Sequence, residues 1–188
     1  MSDIEHRKWT SRWGRRTYSK DIGPRDILRN WVHSFPRGRA LDIACGSGRN
    51  ALYLADSGFT VDAIDISLPA LKLVGMGSYD RGTSVNLILA DLDKYTILPN
   101  IYDLISCTFY LNRDIVPNIR NGLKPGGFIV YEQHYLNDYT FPLGFKLKPK
   151  ELLGLFKGFD IKFFSEVTKE EDDKDISVSS LVAQKPIV

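Results

Sequence analysis

The sequence predicts a doubly wound α/β domain, a mainly parallel seven-stranded sheet that ends in an antiparallel C-terminal hairpin. Three observations carry this expectation. Residues 40–67 read as strand, glycine turn, helix, strand, with Asp42 inside the first strand and Asp65 closing the second. Beyond them, short apolar β-branched runs alternate with stretches of helical periodicity up to about residue 156. Finally, 159–167 and 176–184 alternate in the way that paired antiparallel strands do, around a charge run at 169–175.

Length and composition set the frame. At 188 residues, 43% apolar and 26% charged, the chain suits one globular domain with a sizeable core. We divide it into a basic, aromatic leader at 1–22, able to fold as a lid or to remain a solvated arm, and a catalytic-type domain at 23–188. Residues 1–39 hold ten Lys and Arg against four Asp and Glu, while the remainder holds fifteen against nineteen. Such a leader can attract an anionic substrate, a nucleic acid or a carboxylate. The two cysteines, Cys45 and Cys107, fit no metal spacing and no disulfide framework, so no metal is expected. No apolar run approaches the ~20 residues of a membrane span, and no apolar signal region opens the chain. A cytoplasmic, membrane-free protein is the expectation, with monomer and homodimer both open.

The glycine turn is where a ligand is expected. The strand at 39–44 is short and apolar, as a buried parallel strand should be. Cys45, Gly46, Ser47 and Gly48 let the backbone approach a ligand, and the helix at 49–57 opens there with free N–H groups. Gly58 stops that helix, and 60–64 forms the second strand. The run Gly46 to Ala51 is a literal G-x-G-x-x-A, which a dinucleotide fingerprint allows. Asp42 argues otherwise: a carboxylate four residues before Gly46 suits a cationic amine and sits awkwardly beside a pyrophosphate.

This D-x-x-C-G-x-G stretch resembles motif I of the class I S-adenosylmethionine-dependent methyltransferases, whose fold is Rossmann-like. Ala44 departs from it, standing where the fuller pattern has a glycine. The resemblance implies S-adenosyl-L-methionine as cofactor, with Asp42 near its amine and Asp65 on its ribose. It places Ala44, Cys45, Gly46, Gly48, Ile66 and Cys107 around the cleft. Asp91 and Leu92, after the third strand at 85–90, match the positions that reach the adenine. Arg16 and Tyr18, with Arg15, are candidates for the cofactor carboxylate or the substrate. The LKPGG turn at 123–127 is a further resemblance, and within the superfamily the chain looks most like the compact tellurite-resistance and thiol methyltransferase type.

Among the remaining elements, 24–35 reads as a helix opened by Pro24, with Ile27, Leu28, Trp31 and Val32 on one face. Ser67 is a plausible N-cap for a helix to about Gly75, loosened by Gly75, Gly77 and Gly82. A fourth strand spans 102–107, and a helix at 112–123 tolerates Pro117 near its start. The fifth strand follows the LKPGG turn and runs to about 132–135. Residues 136–147 read as a loop over the substrate pocket, lined by Phe141 and Phe145, and 148–156 as a helix. The acceptor should sit at the carboxyl ends of the fourth and fifth strands. Tyr110, His134 and Tyr135 are the candidates there for orienting or deprotonating it. Cys-Thr-Phe-Tyr at 107–110 replaces the N/D-P-P-Y/F of nucleic-acid amino-methyltransferases, which argues against adenine or cytosine amines.

The expected function is therefore methyl transfer from S-adenosylmethionine to a small-molecule acceptor such as a thiol or metalloid anion. Three rivals stand beside it. A nicotinamide-dependent oxidoreductase would need a substrate domain that the sequence after the fifth strand is too short to supply. An RNA methyltransferase would use the basic leader, so nucleic acid stays open as a partner. A non-catalytic module would bind the cofactor and transfer nothing.

Overall fold

A computed structural model describes residues 3–19, 22–136, 143–171 and 174–187. In chain order, the elements are α1 (Asp3–Gly14), α2 (Asp26–Trp31), β1 (Arg39–Ile43), α3 (Arg49–Asp56), β2 (Thr60–Asp65), α4 (Leu68–Arg81) and β3 (Val85–Leu89). They continue with β4 (Tyr102–Thr108), α5 (Val116–Gly122), β5 (Leu123–His134), α6 (Glu151–Leu155), β6 (Asp160–Glu171) and β7 (Lys174–Gln184). Short 3-10 turns at Val32–Ser34, Arg113–Ile115 and Leu143–Phe145 join some of them.

The seven strands form one sheet in the order β3-β2-β1-β4-β5-β7-β6. Neighbours among β1 to β5 pair in parallel, and β7 lies antiparallel to both β5 and β6. The expected sheet and hairpin are therefore present, with β7 inserted between β5 and β6. Each face carries its own core. Ala40, Val61, Ala63, Leu104, Val130 and Val182 pack toward α2, α3 and α4. Leu41, Ile43, Ile105, Ile129 and Leu181 pack toward α5 and α6. The chain leaves the first face after β3 and crosses to the second after β4. That reversal opens a crevice at the carboxyl ends of β1 and β4, where ligands bind in open α/β sheets.

Several boundaries differ from the sequence reading, each for a local reason. The helix expected to end near Gly75 runs on to Arg81, with Ser67 capping it by accepting from the Ala70 N–H at 3.4 Å. Gly77 does not break it, because that glycine makes room for Leu52 and Tyr18: a Cβ there would lie 2.6 Å from Leu52 Cδ1 and 2.8 Å from Tyr18 Cε2. Gly82, at φ +63°, is the true stop. Pro117 sits in the first turn of α5, which explains why a 3-10 turn precedes that helix instead of a longer α-helix. α2 begins after Arg25, whose extended backbone leaves Pro24 outside. α6 begins only after Lys150, which stands in the left-handed region. The LKPGG run belongs to β5 itself, with a register shift opposite Tyr102 and Leu104. The leader, read without secondary structure, holds the twelve-residue helix α1, which packs against α4. Phe141 lies outside the described residues, as do 172–173 of the charge run. No helix among the described residues is long and apolar enough to cross a membrane.

Candidate functional site

The turn after β1 is built from backbone that only small residues tolerate. Ala44, Gly46 and Gly48 all take left-handed φ, at 51°, 55° and 84°. At Ala44 this costs about 1–2 kcal/mol that a glycine would not incur. Gly48 also admits α4, since a Cβ there would lie 2.8 Å from Val74 Cγ2. Gly48 is the N-cap of α3 and has no side chain to cap with. Asp42 fills that role from the strand below, its Oδ2 accepting from the Ala51 N–H at 3.1 Å. Its carboxyl is 1% exposed, and burial pushes it up to about 7 against the pull of that N–H. Asp42 thus lies beneath the turn and turns toward α3.

Asp65 lies at the tip of β2 and ties the two strand ends together. Its Oδ2 accepts from the Gly46 N–H and its Oδ1 from the Ser67 N–H, each at 2.9 Å. Burial raises its pKa, and these N–H groups oppose the rise. The carboxylate keeps acceptor capacity for a further donor. Cys45 is buried, with its backbone N–H on Ile64 O and its Sγ toward Gly46 O. Burial raises its thiol pKa, and pushes that of Cys107 up to about 12, so both are neutral small hydrophobes at physiological pH. Among the described residues no cluster of His, Cys, Asp or Glu could hold a metal.

At the ends of β2 and β3 the structure opens a cleft of about 460 Å³. Ile66, Ala90 and Asp91 line it from the strand ends, and Asp3, His6 and Thr10 line it from α1. Lys94 also faces it. The Asp91 carboxylate accepts from the Asp93 N–H at 3.0 Å, and Leu92 is buried behind it. Asp65 and Asp91 belong to the neighbouring ends of β2 and β3, with Asp91 lining the cleft and Asp65 one residue before its Ile66 wall. A nucleoside fits that donor and acceptor set.

At the carboxyl ends of β4 and β5 the expected catalytic trio separates. Tyr110 and Tyr135 pack with the core on the α5 and α6 face, and the Tyr131 hydroxyl donates to Tyr110 O at 2.8 Å. Burial also raises the Tyr110 phenol. His134 meets Phe109 instead, at 4.6 Å between ring centroids. Phe109 stands at φ +55°, an uncommon conformation for an aromatic residue, and the Arg25 guanidinium lies 4.1 Å over its ring. Asn50 braces this edge, donating to Thr108 Oγ1 and accepting from the Arg25 N–H, each at 3.0 Å. Phe145 is exposed.

Two leader candidates contact α1 and α4. The Arg16 guanidinium stacks on Trp13 at 5.1 Å, and the Tyr18 hydroxyl donates to Asp80 of α4 at 3.3 Å. The leader residues that do line the cleft are Asp3, His6 and Thr10. Their spacing in D-x-x-H-x-x-x-T-x-x-W was the available signal, and apolar periodicity does not reveal it because the stripe is polar.

Residues 40–127 match the family model described as a methyltransferase domain. The ubiquinone biosynthesis O-methyltransferase of Burkholderia orbicola is 30% identical over 152 residues, covering 75% of this chain and 64% of that protein. That of Thiobacillus denitrificans is 29% identical over 141 residues, covering 70% and 59%. The crystal structure of TehB from Haemophilus influenzae superposes with a TM-score of 0.76 at 22% identity, over 85% of this chain and 61% of that one. The chain thus spans less than two thirds of the length of these relatives. Residues 40–127 thus match a methyltransferase domain, and the sheet has the α/β methyltransferase fold.

Proposed function

We propose that this chain is a methyltransferase that moves the methyl group of S-adenosylmethionine to a small-molecule acceptor. The observation that carries the reading is the cleft at the ends of β2 and β3, lined by Ile66 and Asp91, beside an Asp65 that the Gly46 N–H ties to the glycine turn. Asp65 would accept from the ribose hydroxyls, Asp91 from the adenine amine, and the Leu92 N–H would reach a ring nitrogen. Asp42 would act indirectly, by fixing α3 and the turn. When bound, S-adenosylmethionine supplies a methyl group on a sulfonium that is already a good leaving group. The chain then has to orient the acceptor and exclude water. The edge formed by Thr108, Phe109 and His134 is where we place that acceptor. A thiol or metalloid anion needs no strong base there. A hydroxyl acceptor, suggested by the names of the O-methyltransferase relatives, would draw on His134 for proton removal.

Calorimetry with S-adenosylhomocysteine tests the cofactor assignment. Asp65→Ala should remove measurable binding, and unchanged affinity would reject the ribose role. Labelled S-adenosylmethionine offered with a catechol, a thiol, a metalloid oxyanion and RNA then separates the acceptors. His134→Ala should slow transfer to the catechol while leaving transfer to the thiolate largely intact.

A further inference from the structure

α1 is a twelve-residue helix without a single buried residue. Helices of that length are marginal in water on their own, so its position depends on what it touches. One stripe touches the rest of the molecule at functional points. Asp3, His6 and Thr10 line the cleft, and Trp13 continues the same stripe onto the glycine turn. A methyl group at Gly46 would lie 2.6 Å from Trp13 Cζ2, so the indole rests directly on the glycine backbone. The spacing of three, four and three residues keeps all four side chains on one helix face. Thr10 adds a separate signal. Its hydroxyl oxygen is buried and has no hydrogen-bond partner among the described residues, an arrangement that normally has an explanation. A hydroxyl can both donate and accept, so it can serve a base edge or a sugar hydroxyl.

We propose that the α1 stripe is a nucleoside-binding element: Thr10 and His6 contact the nucleoside across from Ile66 and Asp91, and Trp13 anchors the stripe by covering the glycine turn beside the ligand. This rests on the reading of the cleft as the S-adenosylmethionine site, and adds a wall that strand-end motifs do not supply. Because α1 buries so little by itself, ligand and helix bind as one unit. The nucleoside gives α1 a surface to dock on and gives the buried Thr10 hydroxyl its partner. Asp3, Asp91 and Lys94 are the charged groups facing the same space, and the two acids disfavour a phosphate-bearing nucleotide there.

The test uses the full chain and S-adenosylhomocysteine. Thr10→Val and Trp13→Ala should each weaken binding about tenfold by calorimetry, the loss of roughly one hydrogen bond or one aromatic contact. Thr10→Ser should restore the parent affinity. Melting temperatures of the unliganded variants should stay close to the parent, because α1 contributes little to the core. Saturating ligand should slow trypsin cleavage at Arg7, Lys8 and Arg12 at least fivefold. Parent-like affinity in both variants, with cleavage unaffected by ligand, would overturn the role of α1 and leave the cleft assignment standing. Failure of the parent chain to bind S-adenosylhomocysteine would overturn both.

Discussion

Asp42 shows how much one buried side chain can decide. Burial pushes its carboxyl up to about 7, because it penalises the charge more than hydrogen bonding from Ser106 and the Ala51 N–H favours it. Between the ordinary carboxylate value and 7, the folded chain holds a proton that the unfolded chain has released. Folding stability therefore falls as pH rises through that window, by about 1.4 kcal/mol for each pH unit crossed. Asp42→Asn keeps an acceptor for Ala51 and removes the ionisation. The variant should be more stable than the parent at pH 8 by denaturant titration, and the gap should close at pH 4. An equal gap at both values would reject the buried-charge account. The same variant probes function, since a direct charge contact to the cofactor amine would make its affinity fall sharply, whereas a purely positional role would not. Ala44 makes the complementary point. It holds a left-handed conformation that a glycine usually takes, so the departure from the family pattern is absorbed as local strain, with the turn intact.

At the scale of one element, α4 separates two glycines that look alike in sequence. A Cβ at Gly75 would meet Leu87 Cδ1 at 3.5 Å, an ordinary contact. Gly75→Ala should then gain the usual helix-interior preference, about 0.5–1 kcal/mol. A Cβ at Gly77 would press into Leu52 and Tyr18 at under 3 Å. Gly77→Ala should lose about 1–3 kcal/mol through overpacking, which outweighs the propensity gain. Thermal melts of the two variants should shift in opposite directions, and equal shifts would reject the packing argument. Gly77 also bears on the leader, because Tyr18 seats the chain after α1 on this helix.

For the molecule as a whole, the site is the sum of elements far apart in the chain. Asp3, Ile66 and Asp91 line one cleft only because the fold brings α1 and the ends of β2 and β3 together. A ligand bound there should stabilise the entire fold by mass action. S-adenosylhomocysteine at a hundredfold excess over its dissociation constant adds about 2.7 kcal/mol, worth roughly 5–10 °C in melting temperature for a chain of this size. NADH at the same concentration should leave the melt unchanged. A shift with NADH alone would return the glycine turn to the dinucleotide reading.

The sequence by itself determined the sheet, the glycine turn and the acids at three strand positions, because these depend on short-range patterns: apolar runs, left-handed glycines and carboxylates at strand ends. It also carried the antiparallel hairpin, whose alternation has a period of two. Only the tertiary structure decided that Asp42 faces α3, that Tyr110 and Tyr135 join the core on one face while His134 meets Phe109, and that β7 slots between β5 and β6. Those outcomes depend on which face of a strand meets which helix, and on partners far away in the chain. The α1 stripe falls between the two cases. Its spacing is written in the sequence, but its polar residues gain meaning only beside a cleft that other elements build.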